Sequence, residues 1–247
     1  LQESPIEKAP VFDISSMRES WHPPETELND RSPKEYILTL LHDARKALFV
    51  DPRQKQVVAQ TNIGFAPYDV LQERGIWILT REGWIVQIDP STKKVRTQAR
   101  AGYEPAAMAA IYSKQGNARH VAVTTMSPPG ISFFDAESLQ PVHRVETIEP
   151  LGIFVSNGAN VAVLSRHTGC IYPIEALELA ERCIPGVAYP RYTTQVPNSQ
   201  YNLLVGETGD VAVYDAAMRK VVARLQLGST VTPSRGAFIR HEEYGQV

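Results

Sequence analysis

Ile85-Val86-Gln87-Ile88-Asp89-Pro90 is one copy of a pattern that recurs along most of the chain. Further copies are Ala47-Leu48-Phe49-Val50-Asp51-Pro52, Ile131-Ser132-Phe133-Phe134-Asp135-Ala136 and Val211-Ala212-Val213-Tyr214-Asp215-Ala216, with a weaker one at Cys170-Ile171-Tyr172-Pro173-Ile174-Glu175. The closing acids stand at 51, 89, 135, 175 and 215, at intervals of 38, 46, 40 and 40. A glycine precedes the acid by five or six residues at Gly83, Gly130, Gly169 and Gly209, and Arg45 takes that place in the first copy. After each acid come a few polar residues and a second apolar run, as at 55–59, 94–97 and 219–225.

This is the order strand, turn, strand, acid-led turn, strand. An aspartate suits such a turn because its carboxylate accepts hydrogen bonds from backbone N–H groups two residues on. Short strands in a super-period of about 40 residues are the signature of propeller blades. The expected class is therefore all-β, a β-propeller of four-stranded antiparallel blades. Five blades run from about Tyr36 to Thr230, and a sixth opens near 237–247. Residues 174–181 carry helix formers, but their place in the repeat predicts a hairpin turning at Ala176-Leu177. Residues 1–35 are rich in Pro, Glu and Ser and lack any period, which predicts an extended arm or linker.

Composition narrows the function classes. Of 247 residues, 43% are hydrophobic and 21% charged, as in an ordinary soluble globular protein. A net charge of -2 gives no basic field for nucleic acid, and no apolar run is long enough to span a membrane. The first ten residues lack the blocks of a signal peptide, as a mature exported chain would too. The two cysteines, Cys170 and Cys183, face one another across the predicted hairpin. They form either a cross-strand disulfide or two buried thiols. His22, His120, His143 and His167 show no ligand spacing, and the neighbours Glu242 and Glu243 would point to opposite faces of a strand. Phosphate-cradling and nucleophile-elbow signatures are absent.

Several stretches, taken in order, carry a family resemblance. They are Met17-Arg18-Glu19-Ser20-Trp21 with Leu28-Asn29-Asp30, then 36–44, Asn62-Ile63-Gly64-Phe65-Ala66, 78–83 with Ile88-Asp89, Ser127-Pro128-Pro129 through 135–141, and 232–237 with His241. Together they resemble the haem d1 propeller domain of the cytochrome cd1 nitrite reductases and of their haem d1 maturation relatives.

The resemblance implies an eight-bladed propeller in the periplasm. Haem d1 would lie on its axis, nitrite would be reduced to nitric oxide, and electrons would come from a c-type haem domain. It also implies imidazoles that are missing here. Tyr68 stands where the family has an iron-ligating histidine, and Asn157 and Thr232 stand at the two distal histidines. Of the arginines that hold the macrocycle's carboxylates, Arg81 and Arg235 remain, while His42, Leu71 and Ala106 fill other such positions. His241 matches a family histidine outside the iron shell.

The candidate pocket is thus Tyr68, Arg81, Arg235 and His42, with the phenolate oxygen of Tyr68 as a possible ligand to haem iron. Loss of the imidazoles points to a chain without cofactor. It would be a non-catalytic docking or structural subunit of a periplasmic redox assembly, with a c-type cytochrome or other redox subunit as partner. The alternative is a haem d1-binding protein in nitrite reduction or haem d1 maturation.

Overall fold

A computed structural model describes residues 36–72, 75–112, 118–157, 160–196 and 199–228, together with the backbone of Arg240–His241 and Gly245–Gln246. The expected N-terminal arm, Arg235, Thr232 and the side chains of Asn157 and His241 lie outside the described residues.

Every regular element among those residues is a β-strand, and all strand pairs are antiparallel. Sheet one holds β1 (Ile37–Leu41), β2 (Lys46–Asp51) and β3 (Gln56–Asn62). Sheet two holds β4 (Pro67–Gln72), β5 (Ile76–Thr80), β6 (Trp84–Ile88) and β7 (Val95–Arg100). Sheet three holds β8 (Tyr103–Tyr112), β9 (Ala118–Ser127), β10 (Pro129–Asp135) and β11 (Pro141–Glu146). In sheet four, β12 (Leu151–Asn157), β13 (Asn160–Ser165) and β14 (Cys170–Glu175) lead to a split outer edge, where β15 (Glu178–Leu179) and β16 (Ile184–Pro185) both pair with β14. Sheet five holds β17 (Pro190–Gln195), β18 (Tyr201–Gly206), β19 (Asp210–Asp215) and β20 (Lys220–Gln226). The expected opening of a sixth blade takes the form of two-residue strands, β21 (Arg240–His241) and β22 (Gly245–Gln246), paired with each other. The chain is a β-propeller, with β4, β8, β12 and β17 adjacent as the innermost strands.

The recurrent acids close the outer hairpins. Asp51 accepts the backbone N–H groups of Arg53 and Gln54, Asp89 those of Ser91 and Thr92, and Asp135 those of Glu137 and Ser138, at 2.7–3.1 Å. Asp215 accepts the N–H of Met218 at 2.8 Å. Four residues after each acid, Lys55, Lys93, Leu139 and Arg219 turn left-handed at φ 53–60°, and the pairing of the two outer strands slips by one residue just beyond. A glutamate cannot reach back in this way. At Glu175 the chain takes a two-residue turn instead, with Ala176 at φ 50° and Leu177 at φ 68°. That is the primed hairpin turn whose twist matches the flanking strands. It sits at the predicted place, and no helix forms over 174–181.

The glycines of the repeat have a steric cause. Gly83 turns at φ 82°, and a Cβ there would lie 1.8 Å from the carbonyl oxygen of Gly102; at Gly169 the corresponding distance to the Val187 oxygen is 1.7 Å. Arg45 adopts the same left-handed conformation at φ 53°, and its carbonyl accepts the N–H of Ile63 as the Gly83 carbonyl accepts that of Ala101.

Apolar side chains alternate between the two faces of each sheet, so every interior sheet packs on both sides. Phe49 and Ala47 of sheet one meet Ile76, Ile78, Val86 and Ile88 of sheet two. The opposite face of sheet two, with Trp77, Leu79 and Ile85, meets Val121, Val123 and Phe134 of sheet three. Ile131 and Phe133 pack on Phe154, Val161 and Val163 of sheet four, and Ala162, Leu164 and Ile171 pack on Leu204, Ala212 and Tyr214 of sheet five. Burying one such large side chain stabilises the fold by about 1.5–3 kcal/mol.

Cys170 and Cys183 form a disulfide with a Cα–Cα separation of 5.3 Å. Cys170 lies opposite Pro185, so the bridge joins β14 to the residue just before β16 rather than to a directly paired one. It fastens the split outer edge of sheet four.

Candidate functional site

The innermost strands share a local irregularity. The pairing register slips between Pro67 and Asp69, between Pro105 and Ala107, between Leu151 and Ile153, and between Pro190 and Tyr192. The skipped residues are Tyr68, Ala106, Gly152 and Arg191. Proline has no N–H to give the ladder, and three of the four slips follow one directly. A β-bulge bends its strand and re-aims a side chain. All four skipped residues line one cavity of about 490 Å³ at the centre of the inner strands. Asp69, Met108, Arg166 and Thr193 also border it.

A second ring surrounds the mouth. In sheets two, four and five the second strand ends beside the start of the inner one, and the residue that follows it caps the junction. Arg81, Arg166 and Glu207 donate their backbone N–H to the carbonyls of Ala66, Pro150 and Tyr189 at 2.8–3.1 Å. His42 and Pro128 directly follow β1 and β9 without this hydrogen bond among the described residues. A second cavity of about 580 Å³ opens here, lined by Met126, Arg166, His167, Tyr189 and Glu207. Arg166, Pro190 and Arg191 border both this space and the axial cavity, whereas Glu207 borders this one.

The charges of this region are unequal. Arg166 is exposed and lies over Gly152, where a Cβ would come 2.9 Å from its Cγ. The absence of a side chain at 152 lets this guanidinium stem fold across the cavity wall. Arg191 is 49% exposed, with its Nη1 3.9 Å from Oε1 of Glu207. Behind the mouth, burial pushes the Glu149 carboxyl upward, but hydroxyl donors outweigh it and hold the pKa below its ordinary value. They are Ser165 and Tyr172 at 2.5 and 2.8 Å, with Thr168 farther off at 3.2 Å.

The residues expected from sequence fall in three places. Tyr68 stands on the first bulge, half exposed, with its hydroxyl donating to the carbonyl of Ala106 at 3.4 Å. Arg81 caps the junction in sheet two, His42 follows β1 with its Nδ1 2.8 Å from Asp43 Oδ1, and neither borders the two cavities. Arg235 is not among the described residues. Sequence reasoning missed Arg166, Arg191 and Glu207. The signal for Arg191 is the proline before it, in step with Pro67 and Pro105. The signal for Arg166 and Glu207 is their position two or three residues before the repeat glycine. Among the described residues, no three His, Cys, Asp or Glu side chains gather into a metal cluster. No helix there is long and apolar enough to cross a membrane.

Comparison with solved structures finds the same fold. Over 92% of this chain, a dihydro-haem d1 dehydrogenase, NirN, superposes with a TM-score of 0.71 at 15% identity. The aligned region is 52% of that protein, so the chain spans about half its length. A functionally unknown protein from Desulfotomaculum acetoxidans superposes with a TM-score of 0.65 at 9% identity, covering 85% of this chain and 70% of that one. The family model for the cytochrome D1 heme domain matches residues 32–169, more than half of the chain. The chain belongs to the cytochrome D1 heme domain family.

Proposed function

We propose that this propeller binds a tetrapyrrole of the haem d1 class in its axial cavity and holds it without reducing nitrite by itself. The observation that carries this is the ring of bulges, which aims a phenol and a guanidinium into one central space beside a second guanidinium. A volume of about 490 Å³ is in the range of cofactor sites. Planar guanidinium groups match carboxylates bidentately, so Arg166 fits an acidic substituent of such a ring, and Arg191 adds a second set of hydrogen-bond donors. Tyr68, which lines the same space, would offer its hydroxyl oxygen as a further contact. When bound, the group would supply iron redox chemistry; the chain's own residues bind, orient and enclose it.

The sequence argues against autonomous nitrite reduction. General acid catalysis needs a donor whose pKa lies near working pH, and Asn157 and Thr232, where the resemblance places imidazoles, offer none. A role in carrying or maturing the macrocycle agrees better with those residues. We place the chain in the periplasm, as the resemblance implies; the Cys170–Cys183 bridge supports this reading, since disulfides persist in oxidising compartments. A c-type cytochrome or another redox subunit would be the partner.

Titrating the purified protein with haem d1 at micromolar concentration tests this. Saturable binding with a red-shifted visible band is expected, with the band altered in Tyr68→Phe and the affinity lowered at least tenfold in Arg191→Ala. Absence of binding would leave the propeller as a docking subunit, to be sought by capture with periplasmic c-type cytochromes.

A further inference from the structure

The mouth ring has one member of opposite sign. The residues that share its backbone cap are Arg81, Arg166 and Glu207. Glu207 stands in sheet five in the same backbone setting that places Arg166 in sheet four, each N–H donating to the residue before an inner strand. The reversal falls beside the one bulge that carries a guanidinium. Glu207 and Arg191 border the same 580 Å³ space, and their nearest polar atoms are 3.9 Å apart. Both side chains are about half exposed, at 49% and 59%, so the pair is hydrated and can exchange partners. Arg166 borders the same space, and the described residues give it no carboxylate partner.

The two guanidiniums therefore offer different things to an incoming anion. Arg166 is available for a full carboxylate. Arg191 already faces the Glu207 carboxylate, and a second carboxylate approaching it meets that charge at close range. An uncharged oxygen acceptor meets no such repulsion and still receives hydrogen bonds from Arg191. Specificity of this kind comes from an element that disfavours the wrong ligand as well as from one that favours the right one.

We infer that Glu207 is a specificity residue of the axial site: it admits tetrapyrroles that present one carboxylate to Arg166 and an uncharged acceptor to Arg191, and it disfavours rings with an acidic group at both places. The inference rests on the tetrapyrrole reading of the cavity. It names a property of the ligand's edge that the family resemblance leaves open.

The test compares ferric protoporphyrin IX, with two carboxylates, and ferric coproporphyrin, with four, by absorbance titration against the wild-type protein, Glu207→Gln and Arg166→Gln. Glu207→Gln is expected to tighten coproporphyrin by about three- to fivefold, the worth of an exposed ion pair, and protoporphyrin by less than about twofold. Raising the salt concentration should shrink the difference. Arg166→Gln should weaken both rings. Equal changes for the two rings in Glu207→Gln, or none, would overturn the role of Glu207 while leaving the cavity intact. Failure of all three proteins to bind either ring or haem d1 would instead remove the tetrapyrrole reading itself.

Discussion

Sheets three and four show two ways of closing the same hairpin. In sheet three, Asp135 collects the N–H groups of Glu137 and Ser138 and the hydroxyl of Ser138, and β11 runs unbroken over Pro141–Glu146. In sheet four, Glu175 is one methylene too long to do this. Its turn shortens to two residues, its outer strand breaks into β15 and β16, and a disulfide secures the second piece. The Glu175 carboxylate pairs instead with Arg219 of sheet five. Local hydrogen bonds thus hold the turn of sheet three, and covalent and inter-sheet ties hold the outer edge of sheet four. That edge leaves the carbonyls of Pro185 and Gly186 free to accept Arg224 of sheet five, both at 2.7 Å.

The largest expected effect tests what the two sheets share. Phe133 is fully buried between them, and Phe133→Ala should cost about 3–5 kcal/mol in chemical denaturation. A loss near that of a surface substitution would mean the two sheets do not pack face to face. Next is the covalent tie. With a sequence separation of 13, replacing both cysteines by serine should cost about 3 kcal/mol by the loop-entropy estimate. Hydrogen exchange should quicken at 184–187 and stay unchanged in β11.

The turn acids give the direct contrast. Asp135→Ala removes an acceptor from two N–H groups and should cost about 1–2 kcal/mol. Glu175→Ala loses only an exposed pair and should cost under about 0.5 kcal/mol. Equal losses would show that the glutamate closes its turn after all.

A pH dependence is expected on the far side of sheet four, where Tyr214 packs. Burial, with the nearby Asp215 charge, pushes its hydroxyl up to about 12 from an ordinary 10. The folded state therefore keeps a proton that the unfolded chain releases. The stability is whole below pH 10 and falls as pH rises towards 12. Tyr214→Phe should flatten that decline in denaturation midpoints measured between these values.

The recurring acids, the repeat glycines and the turn at Ala176-Leu177 were all visible in the sequence, because each is a local demand on a few adjacent residues. Even Arg45 sat in the glycine column, where the structure gives it the glycine's conformation. The inner strands were harder to read. Their defining feature is a slip in register against a neighbour, which depends on pairing rather than on composition. Tyr68 was reached through family resemblance. Arg191, its counterpart three inner strands later, was not, since nothing local marks an arginine after a proline as facing an axis. Arg166 and Arg191 are 25 residues apart in sequence and meet only because adjacent blades bring the end of one second strand beside the next inner strand.

The bulged position in sheet three offers the most direct test of the central claim. Ala106 lines the axial cavity without belonging to the packed core, so a large side chain there should fill the ligand's space and leave the fold alone. Haem d1 titration of Ala106→Trp is predicted to show at least a tenfold loss of affinity with an unchanged denaturation midpoint. Wild-type affinity in that variant, with a stable fold, would place the ligand somewhere other than between the four bulges.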